Sequence, residues 1–134
     1  MDGVVHRVVV PVHRTPGARA AEVVILAEGS FRDADARHKG SGDAKLVSVA
    51  GGHVIRLTNF KVTPGPDLIP VTSSHPDPRN KNQVQEGFLD LGRLQGADAD
   101  CDYKLPAGAE AGAIKSVIVY CRAFNVIFAV APLQ

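Results

Sequence analysis

The sequence predicts an all-β fold, either an antiparallel β-sandwich or a partly closed β-barrel. Thirteen glycines and nine prolines divide the 134 residues into short runs, and both residue types commonly mark the breaks between strands. The runs are rich in valine and isoleucine, which suit a pleated sheet better than a helix. Counting the runs gives about eight or nine short strands, as a sandwich or barrel of this size requires.

The first third of the chain predicts two strands and a polar connection. Residues 4–13 form an apolar run in which Pro11 indicates an edge strand, because proline cannot donate to a ladder. Residues 22–26 predict a second strand; a helix over residues 19–28 is the less favoured alternative, since β-branched residues dominate the run. Residues 30–43 alternate basic and acidic side chains, which predicts a solvated loop or sheet edge with a turn at residues 40–42.

The middle of the chain predicts a hairpin, a further strand and a long loop. Residues 45–49 and 53–57 are joined through Gly51 and Gly52, a typical hairpin signal. Residues 68–72 predict a strand that Pro70 places at an edge or a bulge. The polar residues 73–87 predict a loop long enough to be functional or mobile.

The most apolar stretch is residues 116–133, which predicts two core strands with a break near residues 121–125. A strand that is apolar on both faces is normally central in its sheet. Cys121 therefore belongs at the end of a core strand. By the period of two, one face of the first strand carries Val117, Val119 and Cys121, and one face of the second carries Phe124, Val126, Phe128 and Val130.

Charge and hydropathy exclude several classes of function. Lysine plus arginine number 15 and aspartate plus glutamate 14, so no strong field attracts nucleic acid or an anionic membrane. No window reaches the ~18 apolar residues of a membrane-spanning helix. The first residues also lack the profile of a signal peptide. We expect no nucleic-acid partner, no membrane span and no targeting segment in this chain.

The two cysteines are the main candidates for chemistry. A redox thiol needs partial exposure and nearby positive charge, and Arg122 can supply that charge only if the chain turns after Cys121. The alternative is a buried Cys121 that acts as a small hydrophobe. Cys101 could form a structural or a reversible redox bridge with Cys121, or could be an unrelated thiol, and the spacing leaves these readings open.

Other polar patterns give weaker signals. An extended chain would bring Asp98, Asp100 and Asp102 to one side, which hints at calcium, but the rest of the calcium-loop pattern is missing. A solvated acidic loop is the better interpretation. The histidines show no metal-ligand spacing, and no nucleophile elbow occurs. We predict no metal site, and the sequence identifies neither a cofactor nor an enzyme class.

Short motifs follow one another in a fixed order over residues 29–133. They are Gly29-Ser30-Phe31, Gly42, Leu57-Thr58-Asn59-Phe60, Gly65-Pro66-Asp67-Leu68, Leu91-Gly92-Arg93-Leu94-Gln95-Gly96, Tyr103-Lys104-Leu105-Pro106, Ser116-Val117, Cys121, Phe124, Val126, Phe128, Ala131 and Leu133. In this order they resemble the electron-transfer DM-thirteen domain family, an extracellular module that occurs alone in bacteria and beside DOMON and cytochrome-type modules in animals.

The resemblance implies a β-rich fold, an extracellular or cell-surface location and a redox role for Cys121, which matches the characteristic cysteine of the family. Cys101 lies outside the family pattern. The resemblance also divides the chain into a DM-thirteen-like β domain over residues 29–134 and an N-terminal strand extension over residues 1–28 that packs on it.

Two hypotheses on function follow. The first is an extracytoplasmic redox module that transfers electrons through Cys121, with a protein as its redox partner. The alternative is a non-catalytic β-sandwich that binds a protein or a cell-surface polymer through its loops.

Overall fold

The computed structural model describes residues 6–10 and 21–134. Within these residues the strands form two five-stranded antiparallel sheets, with strand orders β1-β2-β4-β5-β8 and β3-β10-β9-β6-β7. The elements are β1 (His6–Val10), β2 (Ala21–Ser30), β3 (Arg32–Asp33), β4 (Gly40–Val49), β5 (Gly52–Val62), β6 (Leu68–Ser73), α1 (Lys81–Val84), β7 (Leu89–Asp90), β8 (Asp102–Lys104), a single 3₁₀ turn (Ala111–Ala113), β9 (Ser116–Cys121) and β10 (Val126–Pro132). The predicted β-sandwich is confirmed, and the sheets do not close into a barrel.

The core lies between the two sheets because each sheet turns one apolar face inward. Leu46 and Leu57 from the first sheet and Val117 and Val119 from the second belong to one buried cluster. Each of these side chains is at most 2% exposed. Full burial of such a side chain contributes about 1.5–3 kcal/mol, so this layer is the main source of stability.

The second sheet is also covered on its outer face. Ile69, Ile118 and Tyr120 form a smaller cluster there with Val84 of α1. The Ser73 hydroxyl lies 2.9 and 2.8 Å from the carbonyl oxygens of Gln83 and Glu86 and donates to them. The predicted loop over residues 73–87 is therefore an ordered cover on the sheet, held by buried polar contacts.

The first two strands pair antiparallel, with β1 at the edge of its sheet. The strand prediction for residues 22–26 is confirmed, whereas Pro11 lies outside the described residues. β2 runs without interruption through residue 29, where the division into an extension and a domain was predicted, and that division stays a prediction. Reciprocal backbone hydrogen bonds of 3.1 and 3.0 Å join Glu28 of β2 to Gln134.

Two predictions about the backbone are wrong. Residues 40–42 are not a turn but the start of β4, where a bulge follows Ser41. Gly42 is required there because its φ is +100° and a side chain would meet the backbone of Asn59. β6 is not an edge strand but lies between β9 and β7. It has no bulge either, because its register with β9 is continuous from Leu68 to Ser73. Its ladder with β7 covers only two residue pairs and stops beside Pro70. The Pro70 carbonyl accepts a hydrogen bond from the Leu91 N–H, but proline has no N–H with which to continue the ladder.

The two predicted core strands are β9 and β10, which pair antiparallel within the second sheet, with the predicted break at residues 122–125. Val117, Val119 and Cys121 face the core as predicted. The common face predicted for the second strand is wrong, because a bulge between Ile127 and Ala129 changes the alternation. Phe128 points into the core between the sheets and Val130 to the outer cluster, while Phe124 lies in the turn before the strand.

Candidate functional site

Cys121 is the last residue of β9 and lies within the inter-sheet core. Its ladder neighbours are Leu68 on β6 and Val126 on β10. The side chain is 0% exposed, and its thiol donates to the carbonyl oxygen of Pro66 at 3.0 Å. The sequence correctly predicted the end of a core strand, but not the loop that covers the sulfur.

That cover is a single segment of chain, residues 64–67, which we call the 64–67 loop. Pro64, Gly65 and Pro66 are exposed to solvent. The thiol is bonded to the carbonyl of one of these exposed residues. Cys121 is thus fully buried beside a residue that is itself exposed to solvent.

Arg122 fastens the 64–67 loop to the end of β9. Its backbone N–H donates to the Asp67 carbonyl at 3.1 Å, and its guanidinium forms a bidentate pair with the Asp67 carboxylate at 2.8 and 3.0 Å. This hydrogen-bonded pair lowers the pKa of Asp67 and raises the pKa of Arg122. The chain does turn after Cys121, but the charge of Arg122 is directed to Asp67 and Asp90.

The 64–67 loop has open space on both sides. A cleft of about 480 Å³ separates it from Arg93, Leu94 and Ala97. On its other side lies a groove of about 310 Å³, which we call the aromatic groove. Clefts thus border the loop on two sides, while Gly65 lies against the ring of the core residue Phe128.

The aromatic groove was not predicted from the sequence. Its walls include Pro64, Pro66, His38, Phe124 and Phe128. Phe124 is 69% exposed and is the one large hydrophobic side chain among the described residues that is left in solvent. The available signal was an aromatic residue inside a predicted strand break, but the assumed alternation assigned it to a sheet face.

Cys101 precedes the short edge strand β8 of the first sheet, whereas Cys121 ends a strand of the second sheet. Its carbonyl accepts from the Leu57 N–H at 3.0 Å, and its half-buried thiol is 3.7 Å from the Ala99 carbonyl. Burial, together with a hydrogen bond to Cys101, raises the pKa of the Tyr103 hydroxyl. Both cysteines carry free thiols in this structure, so the bridge left open by the sequence is not formed here.

The acidic residues of this region stabilise the backbone and a strand pair. Asp100 accepts hydrogen bonds from the N–H groups of Asn59 and Phe60 at 3.0 and 2.9 Å, which lowers its pKa. Asp102 forms a bidentate pair with Arg56 on the neighbouring strand. Within residues 23–134, whose side chains are described, no three acidic, histidine or cysteine side chains converge as a metal site would require.

Among the described residues, none of the helices has the length and hydrophobicity that a membrane span requires.

The fold and the position of Cys121 together define the class of this protein. It is a two-sheet antiparallel β-sandwich whose buried thiol ends a central strand under a glycine- and proline-rich loop. The family model described as "Electron transfer DM13" matches residues 30–133, and the chain belongs to this family. Comparisons with curated proteins and with solved structures found no match.

Proposed function

We propose that the domain is an extracytoplasmic electron-transfer module in which Cys121 is the redox group. Membership of the electron-transfer family supports the class of function. The observation that supports Cys121 as the redox group is the position of its sulfur, which is bonded to the carbonyl of Pro66 in a solvent-exposed loop. In the closed form the thiol is shielded, and outward movement of the 64–67 loop gives a partner access to it.

The proposed reaction is thiol–disulfide exchange with a partner protein that carries a disulfide. When the loop opens, the Cys121 thiol loses its proton and the thiolate attacks one sulfur of the partner's disulfide. The partner's S–S bond breaks, a mixed disulfide forms, and the leaving thiolate takes up one proton. Cys121 is thereby oxidised and the partner's departing sulfur reduced. A donor protein that carries a pair of thiols then restores Cys121. Its first thiolate attacks the Cys121 sulfur and releases the partner's remaining sulfur as a thiol, and its second thiolate attacks the donor's own bound sulfur, which forms the donor's disulfide and frees the Cys121 thiol. Two electrons thus pass from the donor dithiol to the partner's disulfide.

A location outside the cytoplasm belongs to this proposal. Disulfide-bearing partners persist in oxidising compartments and are rare in the cytosol, and the DM-thirteen resemblance points to the same location. Fractionation of cells that express the full natural protein would test this, since recovery of the domain only with cytosolic markers would contradict it.

The exchange itself can be tested with oxidised glutathione as the disulfide. We would incubate the natively folded Cys101→Ser variant, in which Cys121 is the one remaining cysteine, and follow intact mass. The proposal expects a mixed disulfide at Cys121 that dithiothreitol removes, and none in the Cys101→Ser/Cys121→Ser double variant, which has no thiol. Modification only in denaturing urea would refute a redox role for Cys121.

A second function is favoured by a different observation. Cys121 is 0% exposed within the core cluster, whereas Phe124 is 69% exposed nearby. A non-catalytic interaction domain would use Cys121 as core filler and bind its partner through exposed loops. Under this alternative, Cys121→Ser leaves partner binding intact, and Phe124→Ala weakens it.

A further inference from the structure

We propose that the aromatic groove is a binding site for a small planar aromatic carboxylate. The proposal rests on the shape, the rigidity and the charge of the groove, and it does not depend on redox chemistry at Cys121. The groove encloses about 310 Å³, at the small end of the range for ligand pockets. This volume suits one aromatic ring or a fused pair.

The walls of the groove are flat and largely apolar. Phe124 and Phe128 provide aromatic surfaces. Pro64 and Pro66 of the 64–67 loop add the apolar surfaces of their rings. Aromatic side chains favour offset or tilted contacts with another ring. Phe124 leaves most of its surface in water, so a ring that covers it removes apolar area from solvent on both sides of the contact.

Phe124 is held ready by a rigid turn. The turn over residues 122–125 is fixed at one end by the pair between Arg122 and Asp67. At the other end the Tyr120 hydroxyl donates to the Asn125 side chain at 3.1 Å, and Asn125 adopts a φ of +55°, which asparagine tolerates better than most residues. A ligand therefore meets a turn whose backbone is already ordered, so the free energy lost on binding is limited to ordering the Phe124 side chain.

His38 forms a second prepared wall. Its ring lies against Phe128 with centroids 4.3 Å apart and planes tilted by 45°. Its Nδ1 is 2.9 Å from both carboxylate oxygens of Asp35, and the same carboxylate accepts from the backbone N–H groups of Arg37 and His38 at 2.8 Å. These hydrogen bonds fix the backbone of the segment that carries Arg37 and His38.

The charge of the groove favours an anion. Arg37 is the one arginine or lysine that lines it, no acidic side chain does so, and within the described part of the chain Arg37 forms no ion pair. Asp35 is directed to His38 and to two backbone N–H groups instead. A carboxylate on the ligand would pair with the Arg37 guanidinium at the rim while the ring occupies the apolar floor.

The test is isothermal titration calorimetry with 2-naphthoate on the purified protein. We expect saturable binding, weaker by about tenfold for Phe124→Ala because an aromatic contact and its buried area are lost. Arg37→Gln should weaken binding by about three- to tenfold. Arg93→Gln is the matched control, since this arginine lines the cleft on the other side of the loop, and it should leave the affinity unchanged.

Two further probes separate the ligand classes. Decahydro-2-naphthoate keeps the charge but not the planar ring, and 2-naphthalenemethanol keeps the ring but not the charge; both should bind at least about fivefold more weakly than 2-naphthoate. Absence of saturable binding, or binding that Phe124→Ala leaves unchanged, would overturn the proposal. So would an oligomer of wild-type protein that Phe124→Ala dissociates, because the groove would then be covered by a second copy of the chain.

Discussion

The most direct test of the proposed loop opening is the substitution Gly65→Ala, which adds one methyl group under the 64–67 loop. A Cβ at this position would lie 2.7 Å from two ring carbons of Phe128. Non-bonded carbons settle at about 3.5–4.0 Å, so the loop or the ring must shift by about 1 Å. The backbone itself accepts alanine, since Gly65 does not have a positive φ.

The expected effect is faster labelling of Cys121 in the folded protein. Overpacking a well-packed contact costs about 1–3 kcal/mol, and this cost falls on the closed loop and is relieved when the loop opens. Since 1.4 kcal/mol corresponds to a factor of ten, the population of the open form, and with it the labelling rate, should rise by about 5- to 140-fold. The free energy of global unfolding should fall by no more than the overpacking cost.

The assay is the rate of labelling with an alkylating reagent in the Cys101→Ser background, measured over a series of low urea concentrations. Gly112→Ala is the control, because nothing lies within 4 Å of the added Cβ and its φ is not positive. Local opening exposes little surface and gives a rate nearly independent of urea. Our reasoning would be refuted by a Gly65→Ala rate equal to that of wild type, or by a rate with the urea dependence of global unfolding.

The remaining predictions concern the Arg122–Asp67 ion pair, one buried and one exposed hydrophobic side chain, and the two tyrosines. Asp67→Asn removes the charge that pairs with Arg122 but keeps a residue that tolerates the φ of +53°. The rate of Cys121 labelling should rise by less than about fivefold, because exposed ion pairs stabilise only weakly. If the rate does not rise at low salt, the Arg122–Asp67 pair does not hold the 64–67 loop closed. Ile118 is 0% exposed, so Ile118→Ala should lower the free energy of unfolding, measured in urea, by about 2–5 kcal/mol. Phe124→Ala should change it by less than about 0.5 kcal/mol. Similar losses for the two variants would show that Phe124 is not exposed in solution. Burial raises the pKa of Tyr103 and of Tyr120, so both hydroxyls stay protonated in the folded chain at a pH where the unfolded chain has ionised. Their contribution to stability is complete below the ordinary tyrosine pKa of about 10 and is lost as pH rises above it; an absorbance titration at 295 nm should show ionisation delayed in the native protein relative to urea, and coincident curves would contradict this.

Local patterns in the sequence predicted much of the second sheet, because alternation is a property of neighbouring residues. β9 has the two apolar faces that its period of two indicates, and Cys121 ends the strand as expected. The bulge after Ile127 could not be predicted in this way. It depends on how β10 pairs with β9, and one extra residue in the ladder reverses the faces that follow.

The cover over Cys121 was beyond prediction for a related reason. Its carbonyl acceptor, Pro66, is 55 positions away in the chain, and nothing in either segment indicates the other. The acidic stretch shows the same limit. Asp100 suggests a metal ligand when only its neighbours are considered, yet its partners are two backbone N–H groups about 40 residues earlier.

The 64–67 loop connects the two proposals physically. The Pro66 carbonyl accepts a hydrogen bond from the Cys121 thiol, and Pro66 also lines the aromatic groove. Val126 lines the groove too and pairs with Cys121 in the β9–β10 ladder. A ring bound between Phe124 and the loop must therefore stabilise the closed form, because opening would break its contacts with the prolines. At a concentration tenfold above its Kd, a ligand that binds only the closed form should slow Cys121 labelling by about elevenfold. A redox domain built in this way would release its thiol only when the groove is empty, whereas binding without protection would show that the loop opens while the ligand stays in place.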